Sequence, residues 1–171
     1  IIDSCVFDSL SVGIRPATNA LHTMISGNTF NQASTGLIAT SLDSLTVQGN
    51  IFNNNASIGI NIDLSTNVLI ASNRFNSQTA SSKSILWDNS KGAIQGNNFV
   101  ANNVLNPVSI ANSTQIEVSK NVFSDSADVY ILLTNVTHAK IDSNAFVVAN
   151  QNSIKTNNVQ HATIIGNNVV N

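Results

Sequence analysis

The sequence predicts an all-β parallel β-helix, a single-stranded solenoid of about eight rungs of 22–24 residues with an Asn ladder and a Phe stack. Three observations predict it: a motif that recurs eight times, apolar residues spaced two apart inside each repeat, and no ten-residue stretch with a helical period of 3.6. The 171 residues suffice for one domain. We therefore expect residues 1–171 to form one β-helix segment, and the absence of atypical capping repeats suggests a piece of a longer chain.

The repeated motif is an aliphatic residue, two further residues, Asn, one residue and then Phe. Successive Asn positions, counted from Cys5 in a degenerate first copy, are 23, 22, 23, 24, 24, 23 and 23 residues apart. A period this constant indicates that each copy is one turn of a solenoid. The ladder positions are Asn28, Asn50, Asn73, Asn97, Asn121, Asn144 and Asn167.

Equivalent residues of successive rungs are expected to stack about 4.8 Å apart. The Phe residues then form one internal aromatic column, consisting of Phe7, Phe30, Phe52, Phe75, Phe99, Phe123 and Phe146. Each Asn is expected at a sharp bend, because Asn tolerates left-handed backbone geometry, with its side chain buried and bonded to main chain. Cys5 takes the ladder position of the first copy and is expected to be a small buried thiol.

Each rung is expected to contain three short strands, because the apolar spacing is two and no repeat has room for a helix. One strand precedes the Asn, one surrounds the Phe, and one lies 11–13 residues before the next Asn. The last of these carries inward pairs such as Ile60 and Ile62.

The motif Ile-x-Gly-Asn-x-Phe with a period near 23 resembles right-handed parallel β-helix proteins of the pectate-lyase-like superfamily. That group includes polysaccharide lyases, hydrolases, epimerases and phage tailspikes. The resemblance covers the whole chain and implies the fold and a carbohydrate-directed role. The family's catalytic motifs are absent from the sequence, so no catalytic residue carries over.

Asp63 and Asp88 are the best candidates for a catalytic pair. They lie ten and nine positions before their ladder Asn residues, which places them on neighbouring rungs at the end of the same strand. Glycoside hydrolysis uses two carboxylates about 5–5.5 Å apart for retention and about 6.5–9.5 Å apart for inversion. The alternative is that these are ordinary turn residues, since Asp is common in turns.

An outward strip suggests carbohydrate binding. Ile38, Ile85 and Leu132 are expected in one outward column, flanked by Trp87 and Tyr130. Exposed aromatic rings stack on the C–H faces of sugars, while amides meet the hydroxyl groups. The carbohydrate-binding candidates are Trp87, Tyr130, Ile85 and Asn61. The alternatives are that loops cover this strip or that it packs against a neighbouring subunit.

A second outward set, Val100, Val122, Val147 and Val170, is expected to form an apolar stripe on the Phe-bearing strands. Contiguous exposed stripes usually mark interfaces. Together with the resemblance to tailspikes, the stripe suggests a possible homotrimer.

No metal site and no cofactor are expected. His22, His138 and His161 share the column six positions before the ladder Asn. Stacked imidazoles can bind a metal, but no Cys or carboxylate completes this column, so we interpret these residues as exposed turn residues.

Composition restricts the remaining functions. The net charge is −2 and only 9% of residues are charged, which argues against a nucleic-acid partner. No apolar run reaches the length of a membrane span. Polarity comes from 28 Asn, 22 Ser and 13 Thr. We expect a polysaccharide-binding segment located outside the cell or on a virion, whose parent protein is a hydrolase or lyase if it is an enzyme. The alternative is a non-catalytic shaft or adhesin module.

Overall fold

The computed structural model describes residues 1–76, 83–100, 106–124, 127–147 and 152–170 and shows a parallel β-helix. In the described residues the chain forms strands and turns and no helix. Eight equivalent strands joined by seven parallel pairings define about seven turns, which confirms the predicted fold class. No helix in the described residues is long and apolar enough to cross a membrane.

Three faces enclose the core, and their strands are numbered in chain order. Face A, which precedes the Asn bend, contains β1 (Ile2–Asp3), β4 (Leu21–Ser26), β7 (Asp43–Gln48), β10 (Thr66–Ala71), β13 (Gly92–Gln95) and β16 (Ile116–Ser119). Face B, which carries the Phe residues, contains β2 (Val6–Asp8), β5 (Thr29–Asn31), β8 (Ile51–Asn53), β11 (Arg74–Asn76), β14 (Asn98–Val100), β17 (Val122–Ser124), β19 (Ala145–Val147) and β21 (Asn168–Val170).

Face C contains β3 (Val12–Ile14), β6 (Thr35–Thr40), β9 (Ile58–Asp63), β12 (Lys83–Asp88) and β15 (Val108–Ala111). Two longer strands, β18 (Val129–Asp142) and β20 (Asn152–Ile165), run through face C and on into face A.

The Phe column is confirmed. The seven rings stack with centroids 4.6–5.1 Å apart and interplanar angles of 12° or less. Six of them are buried, and Phe7 at the end of the column is partly buried. Stacked rings at this spacing add about 0.5–1.5 kcal/mol per pair to the free energy gained by burying them.

The Asn ladder is also confirmed, and Asn97 is typical of it. Its backbone N–H donates to Oδ1 of Asn121 at 2.9 Å. Its Nδ2 donates to the carbonyl oxygens of Ile70 at 2.9 Å and of Gln95 at 3.1 Å. Because the side chain is 1% exposed, these bonds replace water as the partner of buried polar groups.

A second ladder, which the repeat pattern did not predict, lies at the turn from face C to face A. The backbone N–H of Ser65 donates to Oγ of Ser90 at 2.9 Å, and the N–H of Ser90 donates to Oγ of Ser113 at 3.1 Å. Each of these hydroxyls in turn donates to a carbonyl oxygen two residues earlier. We call this turn the Ser turn.

The predicted outward facing of Ile85 and Trp87 is wrong. Both side chains are fully buried, and they pair with the inward residues Ile60 and Ile62 of the preceding rung. The prediction counted back from Asn97, but the Ser turn of this rung is one residue shorter than its neighbours. The count therefore shifted β12 by one position, which exchanges the two faces of a strand.

Tyr130 is also buried rather than outward, with 1% exposure. It stands at the corner between faces B and C, where two consecutive residues point inward and strict alternation fails. In three earlier rungs this corner position is glycine, since a Cβ there would meet the Phe ring of the following rung at 2.6–3.1 Å. In its own rung Tyr130 packs at a tilt against Phe123 and Phe146 instead.

The outward apolar stripes are not continuous. Val122 pairs with Asn98 and Ala145, whereas Val100 and Val147 pair with Ser124 in the adjacent column. On face C, the column that contains Ile38 and Leu132 also contains Asn61, Leu86, Ser109 and Lys155. Cys5 is exposed, not buried as predicted, because among the described residues a rung stacks on only one side of its own.

Candidate functional site

The shortened Ser turn changes the surface of the solenoid at one rung. Lys91 alone connects Ser90 to Gly92, where the preceding turn has two residues, Thr66 and Asn67, and the following turn also has two. The N–H of Lys91 still donates to the carbonyl oxygen of Ser65 at 3.1 Å, so the rung remains attached to its neighbour. One missing residue therefore leaves a gap in the surface while the core register is maintained.

Gly92 makes the shortcut possible. Its φ is +147°, a conformation that residues with a side chain rarely adopt. A Cβ at this position would overlap the backbone carbonyl of Val68. The close approach of the two strands at this point thus requires glycine.

A surface recess of about 360 Å³ lies beside the shortened turn, and a smaller recess of about 190 Å³ shares Lys91 with it as a lining residue. We call the two together the notch. Its lining residues are Leu64, Ser65, Thr66, Asn67, Asn89, Ser90, Lys91, Gly92, Asn112, Thr114 and Gln115. Lys91 supplies the one charged side chain among them, and the others offer mainly amides and hydroxyls. The notch therefore provides many neutral hydrogen-bonding groups and a single cation.

Several polar groups around the notch are already held in place. Nδ2 of Asn112 donates to Oδ1 of Asp88 at 2.9 Å, and Nδ2 of Asn67 donates to Oδ1 of Asp43 at 2.8 Å. The hydroxyl of Thr66 also donates to Asp43 at 2.8 Å. Hydrogen bonds from Thr66 and Asn67 hold the pKa of Asp43 below its usual range, so this carboxylate stays ionised beside the notch.

Asp63 and Asp88 are direct partners in the parallel register of β9 and β12, which confirms their predicted placement on neighbouring rungs. They immediately precede Leu64 and Asn89, at the edge of the notch. Adjacent parallel strands lie about 4.8 Å apart, so the two residues occupy neighbouring positions at the end of one sheet. Oδ1 of Asp63 is buried and has no hydrogen-bond partner in the described part of the chain. Their catalytic role remains a prediction.

The carbohydrate-binding candidates are distributed differently. Trp87, Tyr130 and Ile85 lie inside the core, so their side chains do not reach the surface. Asn61 is half-buried on the outer side of face C. The structure therefore does not bring the four side chains together on one surface.

Sequence reasoning missed the notch residues Lys91, Asn112 and Gln115. The signal was present in the spacing of the repeats. Asn97 follows Asn73 by 24 residues, yet Gly92 lies only five positions after Trp87, against six in the adjacent rungs. The distance between the two Asn residues does not show where within the rung residues were gained or lost. The pairing register of β12 shows that the rung is longer before this strand and one residue shorter after it, at the Ser turn.

A family model described as NosD, periplasmic copper-binding protein, matches residues 1–107, which is more than half of the chain. The matched range includes five of the Phe-bearing strands, the shortened Ser turn and the Asp63–Asp88 pair. No curated protein and no solved structure matches the chain significantly.

Proposed function

Because the chain belongs to the NosD family, we propose that it acts outside the cytoplasm as a β-helix module that binds an extended carbohydrate in the notch. The periplasmic description of the family supports the location. The observation that carries the binding proposal is the notch itself, whose amides and hydroxyls match a ligand rich in hydroxyl groups.

Lys91 favours a carbohydrate that carries a negative charge. Its ammonium stands among uncharged lining residues, and within the described residues it forms no ion pair. A hydrogen bond from a charged donor contributes about 1.5–3 kcal/mol, more than a neutral one. A uronate-containing or otherwise acidic polysaccharide would use both the cation and the surrounding amides.

Copper, which the family description names, has no closed set of protein ligands among the described residues of the matched range. The described residues contain no group of three or more His, Cys, Asp and Glu side chains that could hold a metal ion. In the matched range the exposed Cys5 and Met24 lie on different rungs, and Cys5 contacts the backbone carbonyl of Asp3. The proposal therefore makes no use of copper.

Affinity electrophoresis through gels that contain bacterial surface polysaccharides tests the binding. Lys91→Ala combined with Asn112→Ala should weaken retardation by an acidic polysaccharide about tenfold or more, because the variant loses a charged and a neutral hydrogen bond. Asn61→Ala is the matched control, an amide removed from the outer side of face C. If only Asn61→Ala loses retardation, the binding site lies on face C. If no polysaccharide retards the unmodified chain, the proposal is wrong.

If the module is also an enzyme, it is a polysaccharide hydrolase or lyase with Asp63 and Asp88 as its acid–base pair. Asn112, which bonds Asp88 and lines the notch, would hold one carboxylate beside the bound sugar. Release of reducing ends indicates hydrolysis, and ultraviolet absorbance of unsaturated products indicates a lyase. Asp88→Asn should abolish either signal.

A non-catalytic shaft is the second candidate. The unbroken Phe column and Asn ladder, which make the rod rigid along its axis, favour it. A tailspike-like homotrimer on a virion belongs to this candidate, although in the described residues the outward Val positions that suggested it do not form one continuous stripe. Sedimentation of the parent protein as a trimer would support the homotrimer, and sedimentation as a monomer would exclude the homotrimer.

A further inference from the structure

Two histidines stand side by side near one end of the solenoid. His138 of β18 and His161 of β20 are direct partners in parallel register. Their rings stack with centroids 4.8 Å apart and an interplanar angle of 22°. Because both residues lie within continuous 14-residue strands, a long backbone ladder fixes the spacing of their Cα atoms.

Both imidazoles are available to a ligand. The two residues are exposed, and they line a shallow recess of about 370 Å³ together with Gln115, Glu117 and Lys140. Within the described residues, no hydrogen bond occupies a nitrogen of either ring. Glu117, the carboxylate that lines this recess, lies 3.7 Å from the ammonium of Lys140 and is therefore already paired with a cation.

We propose that His138 and His161 together bind one late first-row divalent ion, of which Zn²⁺ and Ni²⁺ are the test cases. Imidazole nitrogens bind Zn²⁺ at about 2.0–2.1 Å, and a tetrahedral angle then separates the two nitrogens by about 3.3 Å. In the stacked arrangement the two ring planes lie only 22° apart, so the rings must rotate about their side-chain torsions until a nitrogen lone pair of each points at the ion. Water fills the remaining coordination positions.

Two neutral nitrogen donors also determine which ions bind. Imidazole suits Zn²⁺ and Ni²⁺, whereas Mg²⁺ and Ca²⁺ require oxygen ligands. The site lies outside residues 1–107 and is independent of the family's copper description and of carbohydrate binding in the notch. With two protein ligands it is an exchangeable surface site and not a closed structural centre.

Isothermal titration with ZnCl₂ or NiCl₂ tests the proposal. The unmodified chain should bind one ion, MgCl₂ should produce no binding, and His138→Gln and His161→Gln should each lose at least tenfold in affinity. His22→Gln is the matched control, because His22 occupies the same column on β4, several rungs away. Its affinity should equal that of the unmodified chain.

A structural readout separates ligation from misfolding. Since both histidines are exposed, each Gln variant should melt at the temperature of the unmodified chain without metal, and only the unmodified chain and the His22 variant should gain stability with Zn²⁺. The proposal is wrong if either pair variant keeps full affinity, or if His22→Gln loses as much as the other two.

Discussion

The Asn bend and the Ser turn both connect strands and both carry a buried hydrogen-bond ladder, yet they differ in regularity. At the bend, each face A aliphatic residue precedes its Phe by five positions from Ile25–Phe30 to Ile141–Phe146. At the Ser turn, the interval falls from six positions to five between Trp87 and Gly92. One corner therefore has a fixed length, and the other tolerates a change.

The difference arises from the strand that each corner leads into. Directly after the bend the chain must place a Phe in the aromatic column, and a shift of one residue would turn that ring outward. After the Ser turn the chain enters face A, where a glycine absorbed the change by adopting φ +147°. The corner that can vary is also the one that carries the notch. In this solenoid the bend maintains the rung, and the Ser turn shapes the surface.

The largest expected effect is at the Phe column. Phe75→Ala removes a fully buried ring between two stacked neighbours and should lower the free energy of unfolding by about 3–5 kcal/mol, as measured by urea denaturation. Asn76→Ala, one residue further along β11 and facing outward, loses side-chain hydrogen bonds with Arg74 and Asn53 but no buried ring, and should cost far less. Equal losses would contradict the assigned facing.

These two positions also show how far sequence reasoning reaches. The Phe and Asn columns were predictable because one motif places both at constant spacing on either side of the same bend. Trp87 was misplaced because its distance from the motif includes the Ser turn, which in this rung is one residue shorter and brings Gly92 close to the backbone of Val68. Tyr130 was misplaced because corner geometry overrides alternation, and the glycines that precede it in its column were the available signal.

A smaller loss is expected at the ladder of the bend. Asn97→Ala leaves the backbone N–H of Asn73 and the carbonyl oxygen of Ile70 without their buried partners. The expected cost is about 1–3 kcal/mol in the free energy of unfolding. Gln95→Ala, an outward substitution two residues earlier, is the control and should stay within about 0.5 kcal/mol. A melting temperature of the Asn97 variant equal to that of the control would contradict the role of the ladder.

The ladder of the Ser turn should matter less. Ser90→Ala removes the acceptor of the Ser65 N–H and one donor to the Asp88 carbonyl oxygen. We expect a cost of about 1–2 kcal/mol, because a single hydroxyl makes fewer bonds than the Asn amide. Thr114→Ala on the exposed side of the next turn is the matched control, expected within about 0.5 kcal/mol. A cost above that of Asn97→Ala would reverse the ranking of the two corners.

The smallest effect is electrostatic and lies at the surface. Hydrogen bonds from Ser143 and Lys140 hold the pKa of Asp142 below its ordinary value. A lowered pKa in the folded state stabilises the protein at pH values above the unfolded pKa, near 4, and this contribution disappears as the pH falls through the folded pKa. The urea midpoints of the unmodified chain and of Asp142→Asn should differ slightly at pH 7 and converge well below pH 4. A constant difference would exclude this linkage.

The comparison of the two corners is tested most directly by a pair of single-residue insertions followed by thermal unfolding. One variant carries an extra Asn between Asn97 and Asn98, at the bend, and the other carries an extra Asn between Lys91 and Gly92, at the Ser turn. The insertion at the bend turns Phe99 outward and should lower the melting temperature by at least about 6 °C. The insertion at the Ser turn restores the length of the neighbouring turns and should lower it by less than about 4 °C. Equal losses, or a larger loss at the Ser turn, would contradict the account.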